Sequence, residues 1–143
     1  MRDILFRGKR LQGGNWVEGY FFKSDFNKKE RESGKATLIF TPDCDTFIMV
    51  PECHNSFMVV SDTVGQYTGL KDKNGKKVFE GDIAKVLQGK DKDIAYVGFE
   101  NGAFMLYQKT GNIYERTLWE YWYNDWDVEV IGNVHDNPYL LEK

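Results

Sequence analysis

The sequence contains little cysteine, histidine or proline, and it lacks long apolar runs. Its 143 residues include two cysteines, two histidines and three prolines. No apolar segment approaches the ~20 residues that a membrane-spanning helix needs, so we expect no membrane association. The first ten residues, MRDILFRGKR, place Asp3 before a short apolar run, which is unlike a secretory signal. We therefore expect a cytoplasmic protein.

The few cysteines and histidines give weak support for a metal site. Cys44, Cys53, His54 and His135 would supply the four ligands of a tetrahedral zinc site. However, eight residues separate the two cysteines, and neighbouring side chains such as Cys53 and His54 point to opposite faces of any strand. A structural disulfide is not expected in a cytoplasmic protein. We predict no metal site and no cofactor, with core cysteines and surface histidines.

Motifs of common enzyme classes are absent. The chain has no G-x-S-x-G nucleophile elbow, no G-x4-G-K-[ST] phosphate loop and no dinucleotide-binding fingerprint. Asp82 lies in a turn before an apolar strand, but no spacing places a second titratable group beside it for acid–base catalysis. An aspartate in such a turn more often accepts hydrogen bonds from backbone amides. We therefore favour a non-enzymatic protein with no catalytic residues, and keep a small enzyme of unknown reaction as a further alternative.

The charges form local basic clusters without an overall basic excess. The net charge is −3; residues 1–62 carry nine basic and nine acidic side chains, and residues 63–143 carry ten and thirteen. Proteins that bind nucleic acid through its phosphates usually show a clear basic excess. We interpret two clusters as solvated hairpin ends, with a phosphate-binding face as the alternative. Their members are Arg2, Arg7, Lys9 and Arg10, and then Lys71, Lys73, Lys76 and Lys77.

The apolar pattern predicts a mainly β protein. Short apolar segments separated by turn signals at intervals of about ten residues are typical of a small barrel or sandwich. Asn74-Gly75 and Asn101-Gly102 favour tight hairpin turns, because Asn-Gly tolerates positive φ at both central residues. Asn137-Pro138 predicts a terminal helical turn. The predicted strands occupy residues 4–11, 16–22, 36–40, 46–50, 57–60, 83–87, 94–99, 103–108 and 128–134, and residues 23–35 are predicted as a polar loop or short helix.

Residues 113–127, IYERTLWEYWYNDWD, are unusually rich in aromatic side chains. In a helix, Leu118, Trp122 and Trp126 would face the core, leaving Tyr121 exposed and Trp119 or Tyr123 at the boundary. In a strand the same residues would alternate instead. The aromatics could close one end of a small core, or they could form a docking surface, since Tyr and Trp are enriched in interface hot spots. From the second alternative we predict a partner-binding surface built from Trp119, Tyr121 and Tyr123.

Three blocks of sequence share a pattern with a known family. The central block, residues 63–86, reads TVGQYTGLKDKNGKKVFEGDIAKV, and it is accompanied by residues 4–20 and 130–138. Together they resemble the YopX-like family of small phage and prophage proteins. The resemblance implies an SH3-type barrel in residues 63–143 and a smaller β-rich subdomain in residues 1–62. It supplies no catalytic residues to assign in this chain. We expect an accessory protein that binds a protein partner or self-associates, with a nucleic-acid-associated protein as the alternative.

Overall fold

The computed structural model of the chain describes residues 2–24, 46–108, 116–123 and 126–142. These residues form a mainly β structure with two antiparallel sheets, which confirms the predicted class. The chain divides into two compact units, Asp3–Gln66 and Tyr67–Lys143, the second of which also includes Met1–Arg2. The sequence placed the corresponding boundary between residues 62 and 63.

The N-terminal unit is built on antiparallel strands in the order β4-β3-β2-β1. Their bounds are Phe6–Lys9 for β1, Trp16–Lys23 for β2, Thr46–Val50 for β3 and Asn55–Met58 for β4. A 310 turn spans Ser61–Thr63, and the first residues of β5, which covers Gly65–Lys71, pair with β1. The predicted strands at 16–22 and 46–50 are confirmed. Those at 4–11 and 57–60 are confirmed in part, since the strands cover Phe6–Lys9 and Asn55–Met58. Residues 36–40 and nearly all of 23–35 lie outside the described residues.

The core of this unit is small and depends on close approach between strands. Ile48 and Val59 are fully buried at its centre. Gly19 on β2 faces β3, and a Cβ at this position would collide with the carbonyl oxygen of Met49. Any larger residue at position 19 would therefore push the two strands apart.

The C-terminal unit contains the remaining strands and the one α-helix among the described residues. The bounds are Lys77–Phe79 for β6, Asp82–Gln88 for β7, Asp91–Glu100 for β8, Ala103–Gln108 for β9, Arg116–Thr117 for β10, Leu118–Tyr123 for α1 and Asp127–Asn133 for β11. A 310 helix at Pro138–Leu141 confirms the predicted terminal turn. No helix in the described part of the chain is long and apolar enough to cross a membrane.

Strands β7 to β11 form one sheet in the order β10-β9-β8-β7-β11. Its edges, β10 and β11, do not pair with each other in the part that the structure describes, so these strands do not close into a barrel. Period-two alternation directs one apolar face into the core. The buried cluster comprises Val78, Ala84, Val86, Ala95, Val97, Leu106, Leu118, Tyr121, Val128 and Val130.

The two Asn-Gly turns differ in structure. Asn101 and Gly102 have φ values of 51° and 80° and directly join β8 to β9, which confirms the predicted tight hairpin. In the other turn Gly75 has φ of 80°, but Asn74 does not have a positive φ. The prediction of two positive-φ residues is wrong there, because the Asp72 side chain holds a longer loop in which only the glycine is left-handed.

Asp72 links this loop to the last strand of the unit. Its Oδ1 accepts hydrogen bonds from the amides of Asn74 and Lys76, each at 2.9 Å, and its Oδ2 accepts one from the amide of Val130 at 3.0 Å. The residue is 7% exposed. Burial raises the pKa of its carboxyl, but the three amide hydrogen bonds and the nearby Lys76 charge outweigh burial and hold the pKa below its ordinary value of 3.8. The ionised form is therefore the one the fold stabilises.

We expect Asp72→Asn to lower the free energy of unfolding at neutral pH by about 1–3 kcal/mol, because one amide oxygen cannot replace two carboxylate oxygens for three backbone donors, of which the Val130 amide is buried. The folded-state pKa is depressed, so this stabilisation is present above the unfolded-state value and is lost as pH falls through the folded-state value. Urea unfolding should show a constant difference from wild type above about pH 4 and a shrinking one below it. Asp62→Asn, which replaces an exposed aspartate, is the control. A stability difference between Asp72→Asn and wild type that grows as the pH falls would contradict the lowered pKa of Asp72.

Gly75→Val should destabilise the protein by about 1–3 kcal/mol, since a β-branched residue is forced into the left-handed region. No neighbour lies within 4 Å of a Cβ built at Gly75, so the cost is one of backbone conformation and not of crowding. Thermal melts should rank Gly75→Asn close to wild type, because asparagine tolerates this region. Equal melting temperatures for wild type and the valine variant would show that the turn is wrongly assigned.

Candidate functional site

Helix α1 carries the aromatic segment and packs on β9 and β10. Leu118 and Tyr121, one helical turn apart, are each 1% exposed and join the core of the C-terminal unit. Trp119 lies outside that buried face and is 61% exposed. The helix is therefore anchored through one face while it presents a tryptophan to solvent.

The prediction that Tyr121 is exposed is wrong. Its ring lies in an edge-to-face contact with Trp126, with the centroids 4.8 Å apart. Trp126 packs against the core, as expected, but helical spacing does not place it there, because the helix ends at Tyr123. Instead the chain returns, and the Trp126 amide donates a hydrogen bond to the Tyr121 carbonyl oxygen at 3.1 Å. The side chains of Trp122 and Tyr123 lie outside the described residues.

A cavity of about 240 Å³ opens beside this aromatic pair. It is lined by the ends of β7, β8 and β9 together with the two aromatic side chains. The lining residues are Val86, Gln88, Asp91, Asp93, Gln108, Tyr121 and Trp126. We did not predict this cavity from the sequence.

The polar residues of the cavity occupy positions that continue the apolar face of the sheet. On β8, Asp91 and Asp93 alternate in step with the buried Ala95 and Val97. The sheet register pairs Asp93 with Val86 of the core cluster, and pairs Asp91 with Gln88. The core face therefore changes from apolar to polar at this end of the sheet. An alternation of polar residues in phase with a buried face was the sequence signal that could have located the site.

The carboxylates of the cavity have few partners in the protein itself. Gln108 Nε2 donates a hydrogen bond to Asp93 Oδ2 at 2.9 Å. Among the described residues, no basic side chain forms a salt bridge with Asp91 or Asp93. Two negative charges therefore face a partly enclosed space beside aromatic rings, which is an arrangement suited to a cationic group.

The N-terminal basic cluster does not form one exposed surface. Arg7 is 9% exposed and its guanidinium lies 4.8 Å from the centre of the Trp16 ring. Arg10 lies over Phe57 at 4.3 Å, and Lys9 is half-buried. The interpretation of Arg7 as a solvated hairpin residue is therefore wrong, because cross-strand packing on Trp16 covers its side chain.

The second basic cluster lies on the loop that Asp72 organises. Lys73 Nζ is 3.3 Å from Glu129 Oε2, while Lys76 is exposed and Lys77 is half-buried. Arg2 is exposed and belongs to the same unit. The Lys73 contact places a carboxylate within the cluster, which weakens any attraction to phosphates.

The residues considered for a metal site are not assembled into one by the described structure. Cys53, His54 and His135 are exposed, which confirms surface histidines but makes the prediction of a core cysteine wrong at Cys53. Cys53 is exposed because it lies in the turn between β3 and β4. Cys44 lies outside the described residues, and no group of three potential ligands occurs among those described.

Asp82 has the structural role that the sequence indicated. It is 1% exposed at the start of β7, and its Oδ2 accepts a hydrogen bond from the Phe79 amide at 2.8 Å. Gly81, with φ of 87°, completes the turn between β6 and β7. The carboxylate is thus committed to the backbone of this corner.

Comparisons with known proteins agree with the sequence pattern. A family model described as "YopX protein" matches residues 5–142. Among solved structures, the chain is similar to the crystal structure of protein EF1440 from Enterococcus faecalis, with a TM-score of 0.53 and 22% sequence identity over 99% of each chain. That likeness shows a shared fold. A search of curated proteins gives no match.

We expect Tyr121→Ala to cost about 3–5 kcal/mol of stability, the amount typical of truncating a buried aromatic residue. Trp119→Ala, in the same helix, should change stability by no more than about 0.5 kcal/mol, because its side chain is exposed. Chemical denaturation of both variants measures the contrast. A stable Tyr121→Ala protein would mean that this ring is not part of the core.

Proposed function

The chain belongs to the YopX family, and we propose that it is a non-enzymatic accessory protein of a phage or prophage that binds a protein partner or assembles with copies of itself. One observation carries this proposal. Helix α1 presents Trp119 at 61% exposure, while Leu118 and Tyr121 fix the same helix in the core. The working compartment that we propose is the cytoplasm of the host cell.

An exposed tryptophan on an anchored helix has the properties of an interface hot spot. Tryptophan offers a large apolar surface and is among the residues most enriched at such positions. Because the helix is held by buried contacts, little backbone order has to be gained when a partner covers Trp119. The half-exposed Glu120 adds a charged neighbour, as in the polar rim of an interface.

Protein binding is better supported than nucleic-acid binding. Arg7 is buried on Trp16, and Lys73 is paired with Glu129, so two members of the basic clusters are already engaged within the protein. The cavity next to α1 contributes the acidic side chains Asp91 and Asp93, which would repel phosphates. We therefore do not propose nucleic acid as the partner.

The SH3-type arrangement of the C-terminal unit is part of this proposal. It is supported by the three-residue strand β6, by the irregular pairing of β5 with β6 between Tyr67 and Lys71, and by the irregularity of β11 between Val130 and Gly132. Bulges of this kind bend a strand and are frequent at the rims of small barrels.

Trp119→Ala tests the proposed surface. We expect it to weaken self-association, or capture of an identified protein partner, by about 30-fold or more, as for an interface hot spot. Sedimentation velocity over a concentration series measures the first, and titration of a purified partner measures the second.

Tyr139→Ala is the matched control, because Tyr139 is a 58% exposed aromatic residue of the same unit. It should leave both measurements unchanged. If Trp119→Ala and Tyr139→Ala behave alike in both, the surface around Trp119 is not the functional one.

A further inference from the structure

We propose that the cavity between the Tyr121–Trp126 pair and the ends of β7, β8 and β9 binds the guanidinium group of an arginine side chain on a protein partner. This inference rests on the proposed binding function and names the group by which that partner is recognised.

The placement of the polar residues is the first support. On β8, Asp91 and Asp93 lie on the same face of the strand as Ala95 and Val97. Ala95 and Val97 are fully buried or nearly so. Gln108, at the end of β9, hydrogen-bonds to Asp93. Asp91 is exposed near the end of the sheet, whereas Asp93 is half-buried. An apolar residue at position 93 would extend the core, so the half-buried aspartate runs against the local packing rule. Such departures are expected at functional sites.

Charge and aromatic surroundings define the ligand as a cation. Neither Asp91 nor Asp93 forms a salt bridge with a described basic residue, so a bound cation would gain attraction that the protein itself does not supply. Trp126 and Tyr121 line the same cavity, and aromatic faces attract cations, tryptophan most strongly. An anionic ligand would be repelled by the two carboxylates, and a neutral ligand would gain nothing from their charge.

The size of the cavity favours one side chain over a cofactor. Its volume of about 240 Å³ is below the ~300–1,000 Å³ typical of sites for drug-sized ligands. Within the described residues no third acidic, histidine or cysteine side chain joins the two aspartates as a metal-binding group.

Guanidinium fits this lining better than ammonium does. It is planar, offers five N–H donors, and can bind carboxylates in a bidentate manner while stacking on an aromatic ring. Gln88 and Gln108 also line the cavity, and each side-chain amide has a carbonyl oxygen that can accept from a guanidinium N–H. The N-terminal unit shows the same preference internally, where Arg7 and Arg10 each lie over an aromatic ring.

An NMR titration of the full chain with N-acetyl-arginine amide tests the inference. N-acetyl-citrulline amide is the neutral probe of the same shape, and N-acetyl-lysine amide is the ammonium probe. At constant ionic strength we expect the arginine probe alone to shift the Trp126 indole and the Gln108 side-chain resonances strongly, with a Kd on the order of 1 mM. Equal shifts with the citrulline probe, tighter binding of the lysine probe, or no shift with the arginine probe would overturn the assignment.

Two variants locate the binding. Asp91→Asn and Asp93→Asn should each weaken binding of the arginine probe by about tenfold or more, as expected on loss of a charge-assisted hydrogen bond. Asp62→Asn, an exposed aspartate in the N-terminal unit, makes the same change in net charge and should retain wild-type affinity. Asp91 is exposed at the start of its strand, so its variant retains the fold even if Asp93→Asn does not. Wild-type affinity in Asp91→Asn and in any folded Asp93→Asn protein would overturn the proposal.

The two proposals fail separately. If Trp119→Ala loses association and the wild-type protein does not bind the arginine probe, the cavity assignment is wrong and the proposed binding function stands. Arginine-probe binding that depends on Asp91 and Asp93, combined with unchanged association in Trp119→Ala, would support the cavity and remove the Trp119 surface.

Discussion

The hydrogen bonds accepted by the Asp72 carboxylate organise the C-terminal unit. One oxygen closes the loop between β5 and β6, and the other accepts from the amide of Val130 on β11. The Lys73 amide also donates to the carbonyl oxygen of Val128, so the loop is attached to β11 at two neighbouring points. Val128 and Val130 belong to the buried cluster, and the position of this loop is thereby coupled to the core. A buried carboxylate is tolerable here only because three backbone donors replace its water.

The aromatic segment covers another part of the same core with the helix α1. A six-residue helix is too short to be stable alone, so its geometry depends on the side chains that it buries. Leu118 and Tyr121 provide those contacts, and Trp126 returns over Tyr121 to complete them. Trp119 is left exposed as a consequence, and the cavity forms where the returning chain meets the polar ends of the strands. The exposed tryptophan and the acidic cavity therefore have a common structural origin in this short helix.

The cavity also shows how a small β protein can combine a core with a binding site. The strands β7 and β8 present Ala84, Val86, Ala95 and Val97 to the core and then continue with polar residues on the same face. No change of register is needed, because side-chain direction in a strand is fixed by its period of two. The aromatic pair separates the two regions, with Tyr121 belonging to both the buried cluster and the cavity wall.

The sequence by itself determined the class of the protein, most of its described strands and the family to which it belongs, because these follow from local patterns. Alternation, turn residues such as Asn101-Gly102, and the backbone-capping role of Asp82 all act over a few residues.

Only the tertiary structure decided which aromatic residues are buried. The return of Trp126 onto Tyr121 depends on where a short helix ends, which helical periodicity does not specify. It likewise decided that Asp72 bonds to Val130, a partner 58 residues away, and that Arg7 is covered by Trp16 across a strand pair. Such contacts join residues from different strands, so they are set by packing and register and not by the order of residues along the chain.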